Sequence, residues 1–217
     1  MFGLKREFQL RIIELFKNIF FIPLCPEGNL DAFGDHAASC PRKGDLIATH
    51  NGVVAVLLEH CRLAGWTVTT EERWLLNNNQ KPADILVYLL AGIDTAIDVI
   101  VGSPWNIAST TPGFKQEHLF AHLESIKRNE YLPKCTARGL GFIPFAVGSL
   151  GGFGPAAMKF INAIARAQAG AKPSTIPSIV QTIMYDLSAS VLKSHTNAWL
   201  RRGHACALLG TNNMCRS

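Results

Sequence analysis

Apolar residues recur at Leu4, Phe8, Ile12, Leu15, Phe16 and Ile19, the three-and-four spacing of an amphipathic helix over residues 4–20. Pro23 and Pro26 stop it. Residues 23–45 hold Gly28, Gly34, Pro41 and Gly44 at short intervals, a turn-rich stretch too small for its own core. A second helix is predicted over 46–64, apolar at Val53, Val54, Leu57, Leu58 and Leu63, with Gly65 as its cap. The period then shortens to two: Trp66, Val68 and Thr70 alternate with Thr67 and Thr69. After the polar turn Asn77-Asn78-Asn79-Gln80 come two β-rich runs, 84–90 and 95–101. Only Ala91-Gly92-Ile93-Asp94 separates them, so they are expected to pair as a hairpin. A loop over 103–114, a helix over 115–131, a buried strand over 141–147 and a helix over 156–168 come next. Pro173 and Pro177 mark a linker, and 178–209 reads as a final helix or helix pair.

This order predicts an α/β fold, a mixed central sheet flanked by helices, with the hairpin at its centre. It divides into an N-terminal segment (1–45), a core (46–170) and a C-terminal helical extension (171–217). The chain has 217 residues, 48% hydrophobic and 17% charged, enough for one ordinary core and too apolar for disorder. Lys5 and Arg6 begin no secretory signal, because Arg11, Glu14 and Lys17 break up the apolar residues after them. The charge-free stretch Gly139–Met158 contains eight Gly or Pro residues and reads as loop and strand, not as a membrane helix. The expectation is a protein neither secreted nor membrane-bound, nuclear or cytoplasmic. Its six cysteines are then reduced, and those near histidines suggest metal before disulfide.

Charge changes the picture. Residues 1–124 carry 10 Lys/Arg against 14 Asp/Glu, a balance of −4; residues 125–217 carry 11 against 2, a balance of +9. A basic half beside an acidic half suits a polyanion held against carboxylates that bind metal, and equally a solvated basic face.

The chemistry-bearing residues sit in the two β runs. Asp84, in Lys81-Pro82-Ala83-Asp84-Ile85-Leu86, and Asp98, in Ile97-Asp98-Val99-Ile100-Val101, are carboxylates in apolar surroundings, and each needs a partner or an ion. Paired in a hairpin, both reach one point, with Glu59, Glu71 or Glu72 as a third oxygen source. Such hard oxygen ligands suit Mg²⁺ or Mn²⁺, which polarises phosphate and activates water. A zinc set is available in Cys25, His36 and Cys40, spaced Cys-x10-His-x3-Cys, with His50 as a further candidate ligand. His60, His118, His122 and His195 read as surface histidines.

These residues resemble the PD-(D/E)XK nuclease core, in which a Pro-Asp strand start is followed one hairpin later by an acidic residue and a lysine two positions on. Here Ala83 is inserted between Pro82 and Asp84, Asp98 takes the second acidic position, and Ile100 stands where the lysine is expected. Glu124-Ser125-Ile126-Lys127-Arg128-Asn129-Glu130-Tyr131 offers a replacement, with Lys127 and Tyr131 four apart on one helix face. The ordered set is similar to the restriction-enzyme-like endonuclease of R2-like non-LTR retrotransposon proteins. Those carry a Cys/His zinc motif, a Lys-Pro-Asp strand, an Asp-Val strand and a downstream Lys…Tyr helix, in the order found here over roughly residues 25–165. The family pattern places a fourth zinc ligand at position 27, occupied here by Glu27.

The resemblance implies a metal-dependent DNA endonuclease domain with a zinc-knuckle-like N-terminal segment. Asp84 and Asp98 would hold Mg²⁺ or Mn²⁺, Glu72 or Glu59 would complete the shell, Lys127 would serve phosphate or water, and Tyr131 would position the helix or the DNA. No reverse transcriptase motif is present, so the chain is expected to be a fragment, a domesticated domain or a decayed remnant. Two alternatives stand beside this reading: a catalytically inactive module binding DNA or RNA, and a protein-interaction domain whose C-terminal helix presents an apolar face.

Overall fold

Thr49, Val53, Leu57 and Cys61 fall one turn apart and are buried, and this stripe docks helix α1 (Asp45–Leu63) on the core. Gly65 turns the chain out of the helix: its φ of 75° costs a glycine little, and its N–H returns to the Arg62 carbonyl at 2.9 Å. The computed structural model describes residues 45–70, 83–103 and 118–209. The expected helix over 4–20, the turn-rich segment, the Asn77–Gln80 turn and nearly all of the 103–114 loop lie outside these residues.

Beyond α1 lie four strands: β1 (Val68–Thr70), β2 (Ile85–Leu90), β3 (Ile93–Gly102) and β4 (Gly141–Gly148). They form one mixed sheet in the order β1-β2-β3-β4, antiparallel from β1 to β3, with β4 parallel to β3. The β2–β3 connection is tighter than expected, turning at Ala91-Gly92. A register shift between Val87 and Leu90 places Leu89 and Ala91 at positive φ. The Leu89 N–H is satisfied there by Asp94 Oδ1 at 2.9 Å.

The two-residue period sorts the sheet into faces. Ile85, Val87, Ile97, Val99, Phe145 and Val147 pack with α1, with α3 (Pro155–Ala169) through Phe160, Ile161 and Ile164, and with α4 (Ile176–Leu209) through Ile183, Leu187 and Val191. The opposite face is covered by α2 (Leu119–Thr136): Ala96 and Phe142 meet Cys135 and Tyr131, while Ile100 and Ala146 meet Leu119, Phe120 and Leu123. Gly102 permits this close approach, since a Cβ there would overlap Leu123 Cδ1 at 2.6 Å.

Three sequence expectations are corrected. Helix α2 runs on to Thr136 through Pro133, because buried Cys135 anchors the last turn and accepts the Leu140 N–H at 3.0 Å. The Pro173 stretch is a single 3₁₀ turn (Pro173–Thr175), and Pro177 lies in the first turn of α4, where no intrahelical N–H is needed. His60 is buried rather than exposed: its Nε2 lies 3.0 Å from Asp186 Oδ2 on α4, and its carbonyl accepts Gln168 Nε2 from α3 at 2.8 Å.

Candidate active site

Asp84 stands just before β2 and bonds the residues on either side of Asp98: its N–H donates to the Ile97 carbonyl at 3.0 Å and its Oδ2 accepts the Val99 N–H at 2.7 Å. Asp98 shares the parity of Ala96 and Ile100, so it points toward α2. Only 5% of Asp98 is exposed. From α2, Lys127 Nζ reaches Asp98 Oδ2 at 2.6 Å. The ammonium approaches at a poor angle, so buried Oδ2 has an ionic partner without a well-directed hydrogen bond. Burial pushes the Asp98 carboxyl up to about 6, against the pull of Lys127.

Asp84 is held differently. Its Oδ2 accepts the Val99 N–H at 2.7 Å and lies 3.0 Å from His50 Nε2 on α1. The His50 imidazole is raised above its ordinary value, first by its hydrogen bond to Asp84, with burial opposing. Tyr131 lies under two ammonium groups, Lys127 Nζ at 5.4 Å and Lys134 Nζ at 5.2 Å from its ring centroid. Its ring also packs 6.0 Å from Phe142, and burial raises its phenol, which stays protonated at neutral pH.

The structure therefore brings Asp98, Lys127 and Tyr131 together between the sheet and α2, with Asp84 beside Asp98 at the start of β2 and held from α1 by His50. Ile100 does not leave a gap where the lysine was expected; it packs among Leu119, Leu123 and Ala146, and the cation comes from α2 instead. Glu59 is not part of the group. It is exposed on α1 nine residues beyond His50, about 14 Å along the helix and on the opposite side of it. His50, a zinc candidate by sequence, has its Nε2 committed to Asp84. Glu72, Cys25, Glu27, His36 and Cys40 lie outside the described residues.

A scan of protein-family models and a search of curated proteins both find no match.

Sequence reasoning missed the role of His50, although its position flanking the Thr49–Val53–Leu57 stripe is compatible with a polar contact at the core's edge. It also missed Glu124, a buried carboxylate whose Oε1 accepts the Ala156 N–H at 2.8 Å and so caps α3 from another helix. Nothing local marks that role, because donor and acceptor are 32 residues apart.

Among the described residues, no group of three or more His, Cys, Asp and Glu side chains is arranged to hold a metal ion. The pair itself suits Mg²⁺, which keeps several waters and takes one or two carboxylates. The buried Asp98 Oδ2 without a directed donor is the kind of oxygen such an ion would satisfy. No helix among the described residues is long and apolar enough to cross a membrane.

Proposed function

We propose that the chain is a metal-dependent DNA endonuclease of the PD-(D/E)XK kind, as in the R2-like retrotransposon proteins it resembles. One observation carries the reading: two carboxylates meet at the β2–β3 pair, Asp84 bonding the residues on either side of Asp98, with a lysine from the next helix set against the buried one. The helix–strand–strand–strand–helix–strand order around a mixed sheet supports it. Asp84 and Asp98 would hold Mg²⁺ or Mn²⁺, which supplies a polarised phosphate and a water of lowered pKa. In the reaction a water oxygen bonds to phosphorus, one P–O ester bond breaks and the leaving oxygen takes a proton. Lys127, released from Asp98 toward the phosphate, offsets the negative charge that develops there. Tyr131 keeps the Lys127 ammonium over its ring and out of bulk water. Affinity for DNA comes from the basic residues beyond position 125 through phosphate contacts, and so falls steeply with salt.

Plasmid nicking in Mg²⁺ and Mn²⁺ tests this. Asp84→Ala and Asp98→Ala are expected to abolish nicking while metal-free DNA binding stays within about twofold, since positioning contacts to phosphate lie elsewhere. Lys127→Ala is expected to slow cleavage about 100-fold or more with little change in affinity. An inactive parent protein that still binds DNA in a salt-sensitive way would transfer the reading to a non-catalytic nucleic-acid module. Ile100 in the expected lysine position is the observation on that side.

A further inference from the structure

The two oxygens of Asp84 are unequal. Oδ2 takes both the Val99 N–H at 2.7 Å and His50 Nε2 at 3.0 Å; among the described residues, Oδ1 takes no hydrogen bond. A carboxylate turns freely about its last torsion, which is broad and roughly two-fold. Two donors on one oxygen, from β3 and from α1, remove that freedom. His50 is suited to the task. Beside a carboxylate oxygen that already accepts from Val99, its Nε2 is the donor, and its Nδ1 lies 3.3 Å from Asn51 Oδ1. The ring rides on a helix anchored in the core by Val53 and Leu57.

We propose that His50 is a positioning residue of the site: by holding Asp84 Oδ2, it leaves Oδ1 as the oxygen presented to the divalent cation. This rests on the nuclease reading, because it presupposes an ion shared by Asp84 and Asp98. Ligating carboxylates are commonly oriented by such outer partners, whose loss weakens metal affinity about 10–100-fold. The expectation differs from a zinc role for His50, which would require Nε2 or Nδ1 to be free for a metal.

Calorimetric titration of the full chain with Mn²⁺, without DNA, tests the assignment, with Asp84→Ala as the blank for ions taken up elsewhere. His50→Ala is expected to weaken Mn²⁺ binding about tenfold or more. His50→Asn, whose amide is too short to reach Oδ2, should behave the same way. His50→Gln, whose amide N–H lies near the place of Nε2, should stay within about threefold of the parent, by the same dependence on the outer hydrogen bond. Thermal unfolding without metal confirms that the compared variants are folded. Parent-like Mn²⁺ affinity in His50→Ala or His50→Asn would overturn the role of His50 and leave the nuclease reading standing. A His50→Gln protein as weak as His50→Ala would do the same. A parent chain that binds no more Mn²⁺ than Asp84→Ala would overturn both.

Discussion

At the scale of single residues, Asp98 is a carboxyl kept in a place that penalises its charge. Its ordinary value of 3.8 is raised to about 6 by burial, and Lys127 recovers only part of the cost. The folded state therefore binds this proton more tightly than the unfolded chain does. Its contribution favours folding most below about pH 4, declines as pH rises from about 4 to about 6, and is flat and unfavourable above that. Ionisation of Asp98 costs the metal-free fold up to ~3 kcal/mol. Asp98→Asn, which mimics the neutral form, is expected to raise the metal-free stability at pH 8 by ~1–3 kcal/mol and to flatten the curve between pH 4 and 6. Urea unfolding across that range measures it. An Asp98→Asn protein no more stable than the parent at pH 8, with the slope unchanged, would show that the carboxyl is not penalised. A group that destabilises the fold it occupies is the pattern expected of a side chain kept for chemistry.

At the scale of elements, α2 does two jobs with opposite ends of one helix face. Lys127, Tyr131 and Lys134 stand at i, i+4 and i+7, forming a ladder of cations about one aromatic ring. One turn earlier, Glu124 reaches the N-terminus of α3, bonding Ala156 N–H at 2.8 Å, with Arg128 Nη2 at 3.6 Å from its other oxygen. The cap ties α2 to the N-terminus of α3, and Gly154 is what admits it. A Cβ at position 154 would overlap Glu124 Oε1, although the Gly154 backbone (φ −71°, ψ 161°) suits any residue. Gly154→Ala is therefore expected to destabilise by displacing the cap, and Glu124→Ala by removing it, each by ~1–2 kcal/mol. Because the two changes break the same contact, the double variant should lose clearly less than the two single losses added together. Chemical denaturation of the four proteins settles the cycle. Full additivity would mean that the glycine serves some other contact.

At the scale of the whole molecule, α4 closes the core. This 34-residue helix places Ile183, Leu187 and Val191, all fully buried, against α1 and α3. The His60–Asp186 contact and the Gln168 bond to the His60 carbonyl tie the same three helices together at the polar margin. Ile183, Leu187 and Val191 therefore belong to the same buried cluster as Val53, Leu57 and Ile161. Leu187→Ala is expected to cost ~2–5 kcal/mol, with the larger figure if α1 and α3 cannot collapse onto the space. A loss well under 1 kcal/mol in thermal or urea unfolding would mean that α4 is not part of the cooperative core.

Periodicity and turn chemistry determined much of this by themselves. The buried stripe of α1, the Gly65 cap, the hairpin runs around Ala91-Gly92 and the apolar strand over 141–147 are written in local spacing, and local spacing is what sets helix and strand. The motif order also singled out Asp84, Asp98 and Lys127 as a group. What local spacing does not contain is direction across space. Tertiary structure alone decided that Asp84 bonds the residues on either side of Asp98, that an apolar cluster fills the space around Ile100, and that the Lys127 ammonium meets the buried Asp98 oxygen. It alone placed His50 on Asp84 across 34 residues, left Glu59 on the far side of its helix, and joined α4 to the core. Each of these depends on which buried group lacks a partner and which element packs within reach, and both are settled only when the sheet and helices close on one another.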